Sequence, residues 1–263
     1  MKLNPLIMHI PHSSIIIPKT VRNQFIIDDH ALNKEVYRMT DLYTDDLFID
    51  KNLDSDSIIF PINRLVVDPE RFLDDQLEPM TEKGMGVIYT RTSNGQRLRH
   101  PPKKLEREYL INNFYVQHHD QFNRIVENHL DKHGEALIID CHSFPSIPLP
   151  YEFNQSKNRP DICIGTDEFH TPNGLTQQFI RLFQKKGYSV KINEPFNGSI
   201  VPGCFYMRDK RVYSIMIEVN RMLYMDEITG VKLPGYERLK SDINKILSEV
   251  TNMVFERSSK QDI

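Results

Sequence analysis

Short apolar runs, each cut off by proline or by polar residues, alternate along this chain with longer stretches of three-and-four periodicity. Leu6–Ile10 is a candidate strand closed by Pro11, and residues 58–62, 136–139 and 212–219 form three more. Residues 161–164 and 189–192 add two shorter candidates. Runs of this length, β-branched and apolar at successive positions, predict strands buried on both faces. Between them, residues 29–50 read as a helix, with Leu32, Val36, Met39, Tyr43 and Leu47 at helical spacing. Residues 104–133 read as one long amphipathic helix closed by Gly134, a favoured stop, and 172–186 and 234–255 as two further helices. Residues 87–90 and the Ser93-Asn94-Gly95 turn predict a hairpin-like excursion. With no repeat, linker or low-complexity segment, the alternation predicts one α/β domain over residues 1–263. Its expected form is a three-layer α/β/α sandwich around a mixed, mostly parallel sheet.

Composition narrows the function classes. Of 263 residues, 39% are apolar and 26% charged, and 33 basic against 36 acidic side chains leave a net charge of −3. No basic excess points to nucleic acid or to an anionic membrane surface. No apolar run is long enough to span a bilayer. The 3 cysteines, Cys141, Cys163 and Cys204, show no C-x-x-C and no disulfide framework. The expectation is a reduced, cytoplasmic protein that binds neither nucleic acid nor membrane.

The candidate chemistry lies where the strands end. The stretch ALIIDCHSFP, residues 136–145, brings Asp140 and His142 to the carboxyl end of a strand, where open α/β sheets place their sites. Alternation puts these two on one side and Cys141 on the other. The first strand discharges His12-Ser13-Ser14 in the same manner, and the run at 212–219 delivers Glu218. Asp41 and Asp45 stand at i and i+4 on the predicted helix that follows the first strand. Two imidazoles and a carboxylate with an open fourth position make a catalytic zinc set. A further carboxylate that is not a ligand can serve as general base, and Glu218 is the natural candidate. Arg64 and Arg71 flank Asp68 and Glu70, so each is either an anion-binding fork or an internal ion pair. His129 and His133 have H-x-x-x-H spacing, but Leu130 stands where a zinc helix carries Glu, so they read as solvated. His118 and His119 read as packing or supporting residues.

The strings HIPHSS, TDLYTDDLF, NRLVVDPER, DCHSFP and MIEVNRMLYMD, in that order over residues 6–227, resemble the signature blocks of the N-formylglutamate amidohydrolase family. The resemblance implies a zinc-carboxypeptidase-like hydrolase, an α/β/α phosphorylase/hydrolase-like fold around about eight strands. It also implies a zinc amidase that removes formate or another acyl group from an acidic N-acyl amino acid, a small-molecule substrate. Carried over by position, it makes His12 and His142 the ligands of one Zn²⁺ per chain. Asp41, rather than Asp45, becomes the carboxylate ligand, Glu218 the general base, and Arg64 and Arg71 the anion-binding side chains. Asn197, in the Asn197-Gly198-Ser199 turn, joins them as a substrate-binding candidate. The related carboxypeptidases use H-x-x-E, whereas Ser13-Ser14-Ile15 follow His12, so the carboxylate ligand comes from elsewhere in the chain. The alternatives are a zinc carboxypeptidase or deacylase for another acyl-amino acid, a hydrolase using Cys141, and a non-enzymatic protein binding metal or an acidic ligand.

Overall fold

A computed structural model of the chain describes residues 6–53 and 55–258. In chain order its main elements are β1 (Leu6–Ile10), α1 (Asp29–Met39), α2 (Thr44–Phe48), β2 (Asp56–Ile59), α3 (Lys104–Leu110), α4 (Val116–His133), β3 (Ala136–Phe144), β4 (Ile162–Gly165), α5 (Asn173–Lys185), β5 (Val190–Ile192), β6 (Val212–Asn220) and α6 (Tyr236–Ser258). A single π-helical turn, Ile111–Tyr115, joins α3 to α4. The strands form one sheet in the order β2-β1-β3-β6-β4-β5. Neighbours run parallel except β4, which is antiparallel to β6. The sheet is mixed and mostly parallel as expected, but among the described residues it has six strands rather than about eight. The apolar segments near 66 and 88 do not extend it. Val66, Val67, Val87 and Ile88 are buried in a cluster with α1 residues Leu32, Val36 and Met39, where loops and a helix pack together without pairing to the sheet. The expected hairpin-like excursion forms as a short one: Arg91 and Arg97 make an isolated antiparallel bridge, flanked by backbone bonds from Thr92 to Gln96 and from Leu98 to Thr90 around the Gly95 turn.

The two faces of the sheet differ, and that difference positions the site. Leu6, Met8 and Ile10 of β1, Leu137, Ile139 and Cys141 of β3, and Ile215, Ile217 and Val219 of β6 point to one face. There they pack under α2, α5 and α6, through Phe48, Phe179, Phe183, Ile243 and Ile246 among others. The alternate positions begin apolar, with Ile7, Ala136, Ile138 and Val212 against Phe122, Val126 and Leu130 of α4. Toward the carboxyl ends the same positions turn polar. His9 sits beside Asp140 in the β1–β3 register, and His142 beside Glu218 in the β3–β6 register.

The helix expected over 29–50 is two helices. Asp28 caps α1 through the Ala31 amide at 2.8 Å. Thr40 ends it by donating its hydroxyl to the Val36 carbonyl, while accepting from Asn63. The Asp41 amide donates to the His12 carbonyl at 3.0 Å. These tertiary bonds outweigh the local periodicity and pull residues 40–43 out of the helix. Asp41 thereby lies in a buried break, 2% exposed, whereas Asp45 is exposed on α2.

Asp46, next along α2, ties that helix to α6. Burial opposes its charge, but Lys240 and Tyr236, each at 2.5 Å, and Lys232 at 3.2 Å hold its carboxyl down at about 2. Its folded value lies below the ordinary 3.8, so its contribution is present above that pH and is lost as pH falls toward about 2. The group is half exposed, so the effect is small. Asp46→Asn is expected to lower Tm by about 1–3 °C at pH 7. Melting scans down the pH scale should show the gap close below pH 3.8.

Candidate metal and catalytic site

Three donor atoms from separate parts of the chain converge at the carboxyl edge of β1 and β3. His12 Nδ1 and His142 Nδ1 lie 3.3 Å apart. Asp41 Oδ2 lies 3.2 Å from His142 Nδ1 and 3.7 Å from His12 Nδ1. A tetrahedron with bonds of ~2.0–2.1 Å has edges of ~3.4 Å, so these separations suit one shared cation. The far side of each ring is held by a carboxylate. His12 Nε2 is 3.0 Å from Asp68 Oδ1, and His142 Nε2 is 3.0 Å from Asp140 Oδ1. A carboxylate only accepts, so both rings carry a hydrogen on Nε2, and a neutral ring then has its lone pair at Nδ1. Three lone pairs then face one another, an arrangement that a proton or a metal ion must bridge. The carboxylate–imidazole pairs are the supports expected behind metal-binding histidines.

The charge balance points the same way. Asp41, Asp68, Glu70 and Asp140 surround the site against Arg64, Arg71 and Arg221, one carboxylate more than there are guanidinium groups, with the carboxyl of Glu218 beside them. Burial disfavours a charged His142, yet Glu70 and Asp140 outweigh it and hold the ring well above the usual imidazole range. Burial would likewise raise Asp41, but hydrogen bonds from His12 and His142 and the charge of Arg221 keep it well below the carboxylate range. A divalent cation would offset the same excess of carboxylate that otherwise draws a proton onto His142.

Glu70 also reaches this ground. Its oxygens lie 3.2 Å from His142 Nε2 and 3.7 Å from His12 Nε2. Both His12, Glu70, His142 and His9, Glu70, Asp140 are clusters compact enough to hold an ion. Asp41 meets the two imidazoles on their Nδ1 edge, whereas Glu70 meets the Nε2 edge already engaged by Asp68 and Asp140, so the geometry favours Asp41.

Glu218 is 7% exposed beside His142, and its Oε2 has no hydrogen-bond partner among the described residues. Burial pushes its carboxyl up to about 8, with His142 pulling down and Asp41 pushing up. Arg221 donates to Asp41 Oδ1 at 2.8 Å and to the Arg38 carbonyl at 2.7 Å, which fixes Asp41.

Of the two arginines, Arg64 grips Asp68 Oδ2 through Nε at 3.1 Å and Nη2 at 2.8 Å, with Tyr89 donating to the same oxygen at 2.6 Å. It takes the internal ion pair that its i,i+4 spacing allows. Arg71 Nε is buried with no hydrogen-bond partner, 3.7 Å from Asp68 Oδ2. Asn197 is exposed in the loop between β5 and β6. That loop reaches the site through the Ile200 amide, which donates to Asp140 Oδ2 at 3.2 Å. Cys141 faces the core opposite His142, and burial pushes its thiol well up, so it offers no nucleophile. His129, expected in solvent, is buried, with Nε2 2.8 Å from Asp56 across the start of β2.

Sequence reasoning passed over His9, which is completely buried with Nδ1 2.9 Å from Asp140 Oδ1. The signal was present, since alternation from His9 on β1 matches alternation from Asp140 on β3. Asp68 and Glu70 stood out only as salt-bridge partners for the arginines.

A model of the family described as N-formylglutamate amidohydrolase matches residues 4–225. Among curated proteins nothing matches. Among solved structures, the chain is similar to an N-formylglutamate amidohydrolase from Ralstonia eutropha JMP134, with TM-score 0.83 and 23% identity over 96% of this chain and 95% of that one. It is also similar to a gene product of Agrobacterium tumefaciens, with TM-score 0.67 and 16% identity over 97% and 92%. At these identities the likeness is one of fold. No helix among the described residues is long and apolar enough to cross a membrane.

Proposed function

Because the chain belongs to the N-formylglutamate amidohydrolase family, we propose that it is a metal-dependent amidohydrolase that removes a formyl or other acyl group from an acidic N-acyl amino acid such as N-formylglutamate. One observation carries the metal centre: the meeting of His12 Nδ1, His142 Nδ1 and Asp41 Oδ2 on the ring edges turned away from Asp68 and Asp140, beside the carboxyl of Glu218. Two imidazoles and one carboxylate with an open position suit one zinc ion per chain. When bound, the ion supplies Lewis acidity toward a carbonyl and toward water.

The rest of the chemistry belongs to side chains. Glu218 accepts a proton from the attacking water and returns it to the departing amine, a double task suited to a carboxyl whose proton affinity is raised by burial. Asp68 and Asp140 hold the two rings in one orientation, and Arg64 with Tyr89 holds Asp68. Arg71 makes only a long contact to Asp68, 3.7 Å from Nε, where Arg64 grips the same carboxylate closely, so Arg71 is the cation we assign to the substrate's carboxylate. A neutral acyl-amino acid offers that guanidinium no second carboxylate and is bound less well.

The test is a panel of N-formyl, N-acetyl and N-succinyl amino acids and short peptides, with and without added zinc, scored by released amine. Zinc-dependent turnover that favours acidic N-acyl amino acids is the expected result, and no turnover on any member overturns the reading. In the same panel, Arg71→Lys should raise KM for the acidic substrate by roughly tenfold or more, the cost of losing one charge-assisted fork. Its effect on a neutral substrate should be small and its metal content parental. Equal losses on both substrate classes would remove Arg71 from carboxylate recognition.

A further inference from the structure

His9 and His118 lie outside the ligand set, yet they continue it inward as an unbroken line of contacts. His142 Nε2 and His9 Nδ1 meet the same oxygen, Asp140 Oδ1, at 3.0 and 2.9 Å. The other nitrogen of His9, Nε2, is 3.0 Å from His118 Nε2 on α4. His9 is fully buried, stacked on Phe122 with centroids 4.7 Å apart, and His118 stands edge-on to Phe60 and is 4% exposed. Aromatic rings rather than solvent surround the line.

Proton positions along this line are dictated by one end. Asp140 Oδ1 lies between two ring nitrogens, 2.9 Å from His9 Nδ1 and 3.0 Å from His142 Nε2, as an oxygen that takes a hydrogen bond from each. It therefore only accepts, and both facing nitrogens carry hydrogen: His142 Nε2–H and His9 Nδ1–H. With that hydrogen on Nδ1, the Nδ1–H tautomer of His9 has its lone pair at Nε2, which makes His118 Nε2, 3.0 Å away, the donor there. Burial pushes His118 down to about 2, which keeps it neutral and the direction of the line single. Asp140 Oδ2 is taken by the Ile200 amide, so the carboxylate cannot turn away from either ring.

We propose that His9, itself held by His118, is a positioning residue: through Asp140 it fixes His142 in the tautomer whose Nδ1 lone pair faces Asp41, and so sets how tightly the centre keeps its metal. The inference rests on the metal centre proposed above. Without the His9 donor, Asp140 is left with the Ile200 amide on Oδ2 and His142 on Oδ1, so the carboxylate, and with it the His142 ring, is held less firmly. Supports of this kind change metal affinity by about 10–100-fold.

Two substitutions separate hydrogen bonding from packing. His9→Asn leaves a smaller side chain but keeps an N–H near the position of Nδ1. His9→Leu fills the space against Phe122 and has no donor. The readout is the rate at which zinc passes from the loaded protein to a chelating dye, with near-ultraviolet circular dichroism confirming folded protein. The expected result is zinc loss about 10–100-fold faster in His9→Leu and within about threefold of the parent in His9→Asn. Leu at the parental rate, or Asn as fast as Leu, overturns the proposal. Long-range proton–nitrogen correlation spectra of the parent, labelled at histidine, give a second reading that needs no variant. His9 must be the Nδ1–H tautomer and His142 the Nε2–H tautomer, and His9 found protonated on Nε2 alone overturns the proposal. A parent that takes up no metal would refute the metal centre itself, and the spectra would still decide the hydrogen-bonded line.

Discussion

Replacing Glu218 by Gln is expected to lower turnover by roughly 10²–10⁴-fold, the usual contribution of one general base, while metal content stays parental. The carboxyl sits at the polar end of β6, directly beside His142 in register, and its Oε2 has no partner among the described residues. It makes none of the donor contacts that define the proposed metal triangle of His12, His142 and Asp41, so its removal leaves that triangle whole. Gln nearly preserves volume and hydrogen-bonding shape but cannot accept the proton of water near neutral pH. The sign of the pH effect follows from the direction of its shift. Burial raises the carboxyl to about 8, a base works only when deprotonated, and so the parental rate should rise with pH on the acidic side. A cation beside Asp41 stabilises the ionised form and moves that limb to lower pH. In Glu218→Gln the limb should vanish, leaving a slow, flatter profile. Single-turnover rates and metal analysis on one preparation decide the matter. Loss of metal would make Glu218 a ligand, and a near-parental rate would take it out of the chemistry.

The sheet and the two histidines were readable because the same residues carry both signals. Ile138 and Ile139 mark β3 as a strand buried on both faces, and period two then fixes His142 on the side of Asp140 and Cys141 on the other. What escaped was whatever depends on contacts made far along the chain. Leu32, Val36, Met39, Tyr43 and Leu47 keep a helical period straight through Asp41. The Asn63 amide, the His12 carbonyl and Arg221 nevertheless break the helix there and turn Asp41 inward. Arg64 offered both an anion-binding fork and an ion pair at i,i+4. The choice is made by Tyr89 and by His12, each of which needs Asp68 ionised in place. His9 read as one polar interruption in an apolar strand, because its partners Asp140 and His118 are 131 and 109 residues away. Strand number failed for a related reason. Burial of Val66 and Val87 satisfies the apolar pattern as well in a loop-covered cluster as in a sheet.

Loss of one imidazole from the metal triangle should have the largest effect. In His142→Ala the ring that meets Asp41, Asp140 and His12 at once is gone, and two donors remain where three met. Two donors do not make a tight site for zinc, so metal measured by mass spectrometry should fall from about one ion per chain to about one-tenth or less. A bound metal contributes several kcal/mol to stabilising developing charge, and each 1.36 kcal/mol is tenfold in rate, so turnover should fall by roughly 10³-fold or more. His12→Ala should behave alike. For the carboxylate, Asp41→Asn is the sharper choice than Ala, because the amide oxygen can still accept from Arg221 while the ligand charge is lost. Its metal affinity should drop strongly, and that of Asp45→Asn, on the exposed face of α2, should not change. Glu70→Gln is the control that discriminates between the two carboxylates near the imidazoles. Metal loss in Glu70→Gln together with retention in Asp41→Asn would move the centre to the other edge of the rings, onto Glu70. Parental metal content in His142→Ala would leave no centre at this point of the sheet at all.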